Sequence, residues 1–237
     1  VSNEHPVFAE IRRGVLTAIP VMIGFIPFGL LLGTQAAQKG FTAASLMMMT
    51  GMNFAGGSEF AAIALWSSPP HVLTIVLVSM LVNSRHLLMG AALAPYLAHL
   101  PARRALPALF FMCDECWALG MADAASRRAK GMSPALSFGF YSGVAVSLWL
   151  SWVFSTGIGV LIGPVLGDIT RWGFDMAFPA VFFVLLRGMW KGFRAALPWL
   201  VSLICAVITY RLCPGAVYVP VGALSGLITI LLMYRKA

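Results

Sequence analysis

Five ionisable side chains interrupt stretches of this chain that are otherwise apolar enough to lie in lipid: Glu59, Arg85, His86, Asp114 and Glu115. A charge near the centre of a bilayer costs at least about 2.5 to 3.5 kcal/mol on insertion scales, so such groups persist where they pair or meet water and substrate. Arg85 keeps its charge and needs a standing counter-ion, whereas His86 can change charge near neutrality. Asp114 and Glu115 are sequence neighbours, so a regular helix sends them to different sides and at most one opposes Arg85. The other is available to take and release protons in a transport cycle.

Two polar runs surround these groups. Asn53, Phe54, Ala55, Gly56, Gly57, Ser58, Glu59 and Phe60 put amide, glycine, hydroxyl and carboxyl groups at the middle of one apolar stretch, the pattern of a broken helix. Unwinding there points the N–H groups of the second half-helix into the protein, a seat for an anionic group such as a substrate carboxylate; close helix packing by the glycines is the competing explanation. Asn83, Ser84, Arg85 and His86 form the second run, with Asn83 and His86 on one helix face and Arg85 turned away from it. Candidate substrate-binding residues are therefore Asn53, Gly56, Gly57, Ser58, Glu59, Asn83, Arg85 and His86, and candidate proton-coupling residues are Asp114 and Glu115. An ion-pair network that only locks helices together is the structural alternative, which three acids facing one fixed base leave unbalanced.

The elements that must position these residues are membrane helices. The 237 residues are 60% hydrophobic and 10% charged, far from the balance of a water-soluble domain. Eight blocks are long enough to cross about 30 Å of hydrocarbon: 14–38, 41–66, 71–99, 105–123, 134–163, 172–190, 195–212 and 215–234. They are continuously apolar, unlike the alternating strands of a barrel. The expected fold is an all-α polytopic bundle forming a single integral membrane domain over 1–237, with about eight spans, or seven if the second block is re-entrant. Gly14, Pro20, Gly24, Pro27, Gly29 and Gly33 mark the first block for a kink or break, with close packing as the alternative. Ser151, Ser155 and Gly159 form a small-residue stripe suited to tight helix contact.

Lys and Arg residues set the orientation. With eight crossings, Arg12, Arg13, Arg127, Arg128, Lys130, Arg187, Lys191, Arg194, Arg235 and Lys236 share one face, against Lys39, Arg103, Arg104, Arg171 and Arg211 on the other. The excess places both termini in the cytoplasm. The net charge of +8 is scattered over short loops and forms no nucleic-acid surface. No cleavable signal segment is visible, so the first span is expected to be retained.

Cys113 and Cys116 make a C-x-x-C motif inside an apolar block, without a second such motif or a suitably spaced His pair, so they are assigned to core packing and no metal is expected. Asp175 is assigned a structural place at the start of its block. The chain lacks a G-x-x-x-x-G-K-[ST] loop, a zinc-protease motif, a nucleophile elbow and a dinucleotide fingerprint. No cofactor or enzymatic activity is expected.

Taken in order, these motifs resemble the AzlC family of bacterial branched-chain amino acid exporters, the larger subunit of AzlC/AzlD and YgaZ/YgaH systems. The likeness begins in the first block, runs through Phe54-Ala55-Gly56-Gly57-Ser58-Glu59-Phe60 and Arg85-His86-Leu87-Leu88-Met89-Gly90, and continues through Asp114-Glu115, Ser151-Trp152-Val153 and Phe174-Asp175-Met176-Ala177-Phe178-Pro179-Ala180. The family usually carries glutamine at Glu59, alanine at Gly57, threonine at Cys113 and glycine at Ser155. A carboxylate at position 59 adds an anchor for an ammonium group or another proton site, and so bears on the choice of solute. The resemblance implies export of leucine, isoleucine and valine, with methionine as a further solute, across a bacterial cytoplasmic membrane, together with a small hydrophobic AzlD/YgaH-like subunit. The residues alone also fit a carrier or channel for another small zwitterionic or cationic solute, or a structural subunit of a membrane complex.

Overall fold

A computed structural model describes residues 7–166, 192–213 and 217–234, and every regular element in it is a helix. The first, α1 (Val7–Gln38), is continuous through Pro20 and Pro27, so the break considered for this block does not occur. Its partner is α8 (Phe138–Leu166), which holds it along nearly its whole length. The contacts rise together, Gly14 against Phe140, Gly29 against Ser155 and Gly33 against Gly159, so the two helices are parallel. A methyl group on Gly33 would lie 2.6 Å from Gly159 Cα, which is why the seam needs glycine there. Ser155 and Gly159 thus pack as their spacing predicts.

Block 41–66 is not one helix but two, α2 (Ala43–Asn53) and α3 (Gly56–Ala64). Thr42 and Ser45 form a capping box that starts α2, and Phe54, in the left-handed region at φ 43°, ends it. The outer ends return to one place: Lys39 Nζ donates to Trp66 O at 3.1 Å, and the Phe41 and Trp66 rings meet edge-to-face at 4.7 Å. Along α8, Met47 lies against Gly157 and Gly51 against Trp149, whose Nε1 donates to Gly51 O at 2.9 Å. The helices α2 and α8 therefore run in opposite directions. Block 41–66 is thus a helical hairpin.

Block 71–99 becomes α4 (Val72–Asn83) and α5 (Arg85–Leu97), interrupted only at Ser84 and long enough together to span. Block 105–123 differs from expectation in the same way as block 41–66. It holds α6 (Ala102–Phe110) and α7 (Asp114–Ala129), separated by Phe111, Met112 and Cys113. Cys113 is extended at φ −118° and ψ 174°, and its N–H donates to Cys116 Sγ at 2.9 Å, so the two cysteines cap α7. Asp114 and Glu115 in the first turn complement the helix dipole. A charge pair of this kind is a helix-start signal, and treating the block as one span missed it.

At the C-terminal side, α9 (Phe193–Leu212) and α10 (Tyr218–Tyr234) pack antiparallel, with Gly222 against Ser202 and Ala206 and Gly226 against Pro198 and Ser202. Among the described residues four segments are long and apolar enough to cross a membrane: α1, α4 with α5, α8 and α9. Helices of 11 and 9 residues, such as α2 and α3, reach only about 16 and 13 Å. One crossing per block is therefore not met at 41–66 and 105–123. Block 172–190, with Asp175, lies outside the described residues.

Candidate functional site

Three helix starts meet at one cavity. The first residues of α3 (Gly56, Gly57), of α5 (Arg85, His86) and of α7 (Asp114, Glu115) all line a space of about 270 Å³. Val21, Gly24, Phe25 and Phe28 of α1, Phe60 of α3 and Trp152 of α8 supply its apolar wall. The volume sits just below the roughly 300 Å³ at which sites for drug-sized ligands begin, which suits a small metabolite.

The break between α2 and α3 is built around Glu59. Its side chain is buried at 1% exposure and does not line the cavity, and both oxygens are engaged. Oε1 accepts from the Ala55 N–H at 3.1 Å and from Asn53 Nδ2 at 3.5 Å, while Oε2 accepts from Trp152 Nε1 at 2.7 Å. Asn53 Nδ2 also donates to Ser58 Oγ, and Ser58 Oγ donates to Ala55 O. These residues fasten the hairpin tip to α8. Ser58 and Glu59 direct their own N–H groups to Ala55 O, leaving the amides of Gly56 and Gly57 at the cavity wall.

Arg85 crosses from α5 to α7 and pairs with Asp114, Nη1 to Oδ2 at 2.7 Å, with both side chains more than a third exposed to the cavity side. A methyl on Gly57 would lie 3.6 Å from the Arg85 guanidinium, so the α3 amides and this cation are adjacent. Asp114 is thus the neighbour that opposes Arg85, and Glu115 lies outside ion-pairing distance of it. His86 lines the cavity and sets Nδ1 3.2 Å from Asn83 O, across the interruption between α4 and α5. Asn83 itself lies behind the wall with Oδ1 buried and unpaired.

Of the ten residues expected at the site, Gly56, Gly57, Arg85, His86, Asp114 and Glu115 line the cavity, and Asn53, Ser58, Glu59 and Asn83 stand behind it. The sequence reasoning missed the aromatic wall. Trp152 sits beside the small-residue stripe of α8, with Phe25 edge-on to it at 5.6 Å, and its indole N–H serves the carboxylate that the break requires. Cys113 is buried in the core, as its motif was assigned, and also lines the cavity.

The arrangement can hold a zwitterion: amides and a guanidinium for a carboxylate, acids for an ammonium, and rings for an apolar tail. A family model described as AzlC protein matches residues 20–166. The branched-chain amino acid transport protein AzlC of Bacillus subtilis is 26% identical over 237 residues, covering all of this chain and 89% of its own length. An uncharacterized membrane protein of Archaeoglobus fulgidus is 27% identical over 191 residues, 78% of each chain. The inner membrane protein YgaZ of Escherichia coli is 27% identical over 162 residues, 67% of this chain and 63% of its own. No solved structure matches the chain. The family match covers more than half of the sequence and every helix start at the cavity, and this membrane protein belongs to the AzlC family.

Proposed function

We propose that the protein is a carrier that exports branched-chain amino acids across a bacterial cytoplasmic membrane in exchange for protons. The observation that carries it is the union of three helix starts and Arg85 with an aromatic wall around about 270 Å³. The substrate carboxylate sits at the Gly56 and Gly57 amides beside Arg85, where the helix dipole favours an anion. Asp114 balances Arg85, Glu115 meets the ammonium group and carries the proton, and Phe25, Phe28, Phe60 and Trp152 enclose the aliphatic tail. The name of the Bacillus subtilis relative supports this solute class. A small hydrophobic membrane subunit completes the transporter in this reading.

For the membrane arrangement we favour two re-entrant hairpins, α2–α3 and α6–α7, entering from opposite faces, in place of one crossing per block. The Lys39 and Phe41 contacts with Trp66 support the first hairpin, and ion pairs from Glu10 and Arg13 to α7 support the second. Both termini remain cytoplasmic in this reading.

Radiolabelled leucine efflux from proteoliposomes, with and without the small subunit and with an imposed pH gradient, tests the reading. Saturable flux that follows the gradient is expected. Flat leucine flux under every condition removes the solute, and flux indifferent to pH removes the coupling.

A further inference from the structure

The cavity residues account for the acids near Arg85, but a second ionic cluster lies one level away. Arg13 of α1 donates to Asp123 of α7 at 2.7 Å and to Glu10 at 2.8 Å, and Arg127 of α7 donates to Glu10 at 3.3 Å. The Arg13 guanidinium also stacks over the Phe140 ring of α8, 4.1 Å from its centroid. Side chains of Asp123, Glu10 and Arg127 are 9%, 12% and 15% exposed. Arg13, at 41%, is the exposed member of this four-residue network, which has no part in the cavity wall.

Its position follows from helix geometry. From Arg13 to Val21 on α1 and from Glu115 to Asp123 on α7 the interval is the same, and at 1.5 Å per residue each is about 12 Å. The two helices run in opposite directions between these landmarks, so the network closes the end of the cavity at which α1 begins. The bodies it joins differ in character. On one side α1 is fused to α8 through backbone contacts that tolerate no methyl group. On the other, α7 is one of two short helices flanking the break at 111–113, and its first turn carries Asp114 and Glu115.

The network is also incompletely satisfied. Asp123 Oδ2 and Arg127 Nε are buried without a hydrogen-bond partner. A cluster that served only to hold helices together would saturate those atoms, because a half-satisfied buried network costs more than an apolar contact. Such a network suits an element that must release.

We propose that Glu10, Arg13, Asp123 and Arg127 form a latch. When the cavity opens toward the face where α1 begins, the α6–α7 hairpin swings away from the α1–α8 pair and the Arg13–Asp123 and Arg127–Glu10 contacts break. The latch rests on the carrier reading for its purpose, and its test does not depend on the solute.

Cys113 provides the reporter, since it lines the cavity but is only 8% exposed in this closed arrangement, while Cys116 is fully buried. In a Cys205→Ser/Cys213→Ser background, labelling by a membrane-impermeant maleimide is measured separately from each face, in inverted vesicles and in intact cells. Asp123→Asn is expected to raise the labelling rate of Cys113 from the α1-start face at least tenfold, and Asp123→Glu, which keeps the charge, to leave it near that of the parent. Where Asp123→Asn does not accumulate, Arg13→Gln carries the same test, since Arg127 still holds Glu10. Equal labelling of parent and variants from that face overturns the latch, as does free labelling of the parent there. Leucine flux with flat labelling defeats the latch alone, and opened labelling without leucine flux defeats the solute alone.

Discussion

Replacing glycine by alanine at two positions of α1 should give opposite results, and the difference is fixed by geometry. At Gly33 a new Cβ would sit 2.6 Å from Gly159 Cα, nearly 1 Å inside the roughly 3.5 Å at which carbon atoms meet. The obstructing atoms are backbone, so the side chains cannot yield and the helices must part. Overpacking of this kind costs about 1 to 3 kcal/mol. At Gly24, nine residues earlier, the same Cβ meets nothing within 4 Å and enters the cavity. Stability should hold or rise by up to about 1 kcal/mol, the helix-propensity difference between the two residues. One methylene in an apolar pocket is worth about 1 to 3 kcal/mol of discrimination, so Gly24→Ala should disfavour leucine and isoleucine relative to valine by about tenfold or more. Thermal unfolding in detergent, read for both variants, and competition between the three amino acids in liposomes measure these effects. A Gly33→Ala protein as stable as the parent would refute the rigid seam, and a Gly24→Ala protein with unaltered selectivity would refute the placement of the aliphatic tail.

Other consequences concern the wall and its supports. Trp152→Phe removes the N–H that Glu59 Oε2 accepts and should lower stability by about 1 to 3 kcal/mol in the same unfolding assay. Arg85→Lys keeps the charge but loses the planar fork, and should weaken leucine binding by at least tenfold in equilibrium dialysis while leaving the unfolding temperature near that of the parent. Glu115→Gln should weaken leucine exchange between two leucine pools, because the ammonium group loses its anion, and abolish acceleration of the remaining flux by a pH gradient; acceleration that survives the change would assign the proton elsewhere.

Much of this site was legible because buried charge in an apolar chain has few explanations. Glycines and polar groups at 53–60 located the first break, and adjacency of Asp114 and Glu115 required that only one face Arg85, as Asp114 does. The second break was hidden because hydropathy does not distinguish a half-helix pair from a crossing helix. Its signal lay in capping chemistry, two acids at a helix start behind a cysteine whose N–H donates to the Cys116 thiol. Glu59 shows a different limit. Sequence marks it as an ionisable group in lipid, but only the approach of Trp152 and Asn53 shows that its oxygens are spent on the hairpin tip. For the first block the packing alternative holds, since α1 is continuous through both prolines and its Gly14, Gly29 and Gly33 lie against α8.

Dependence of the first hairpin on α8 also sets an order for biogenesis. Glu59 leaves the ribosome 93 residues before the indole that receives it. At about 5 to 20 residues per second, translation takes roughly 5 to 20 s to deliver Trp152. For that interval the nascent tip holds a carboxylate with its intended donor unmade, and α2 and α3 are each too short to lodge across the membrane unaided. The hairpin tip therefore gains its full set of donors only after α8 has been made.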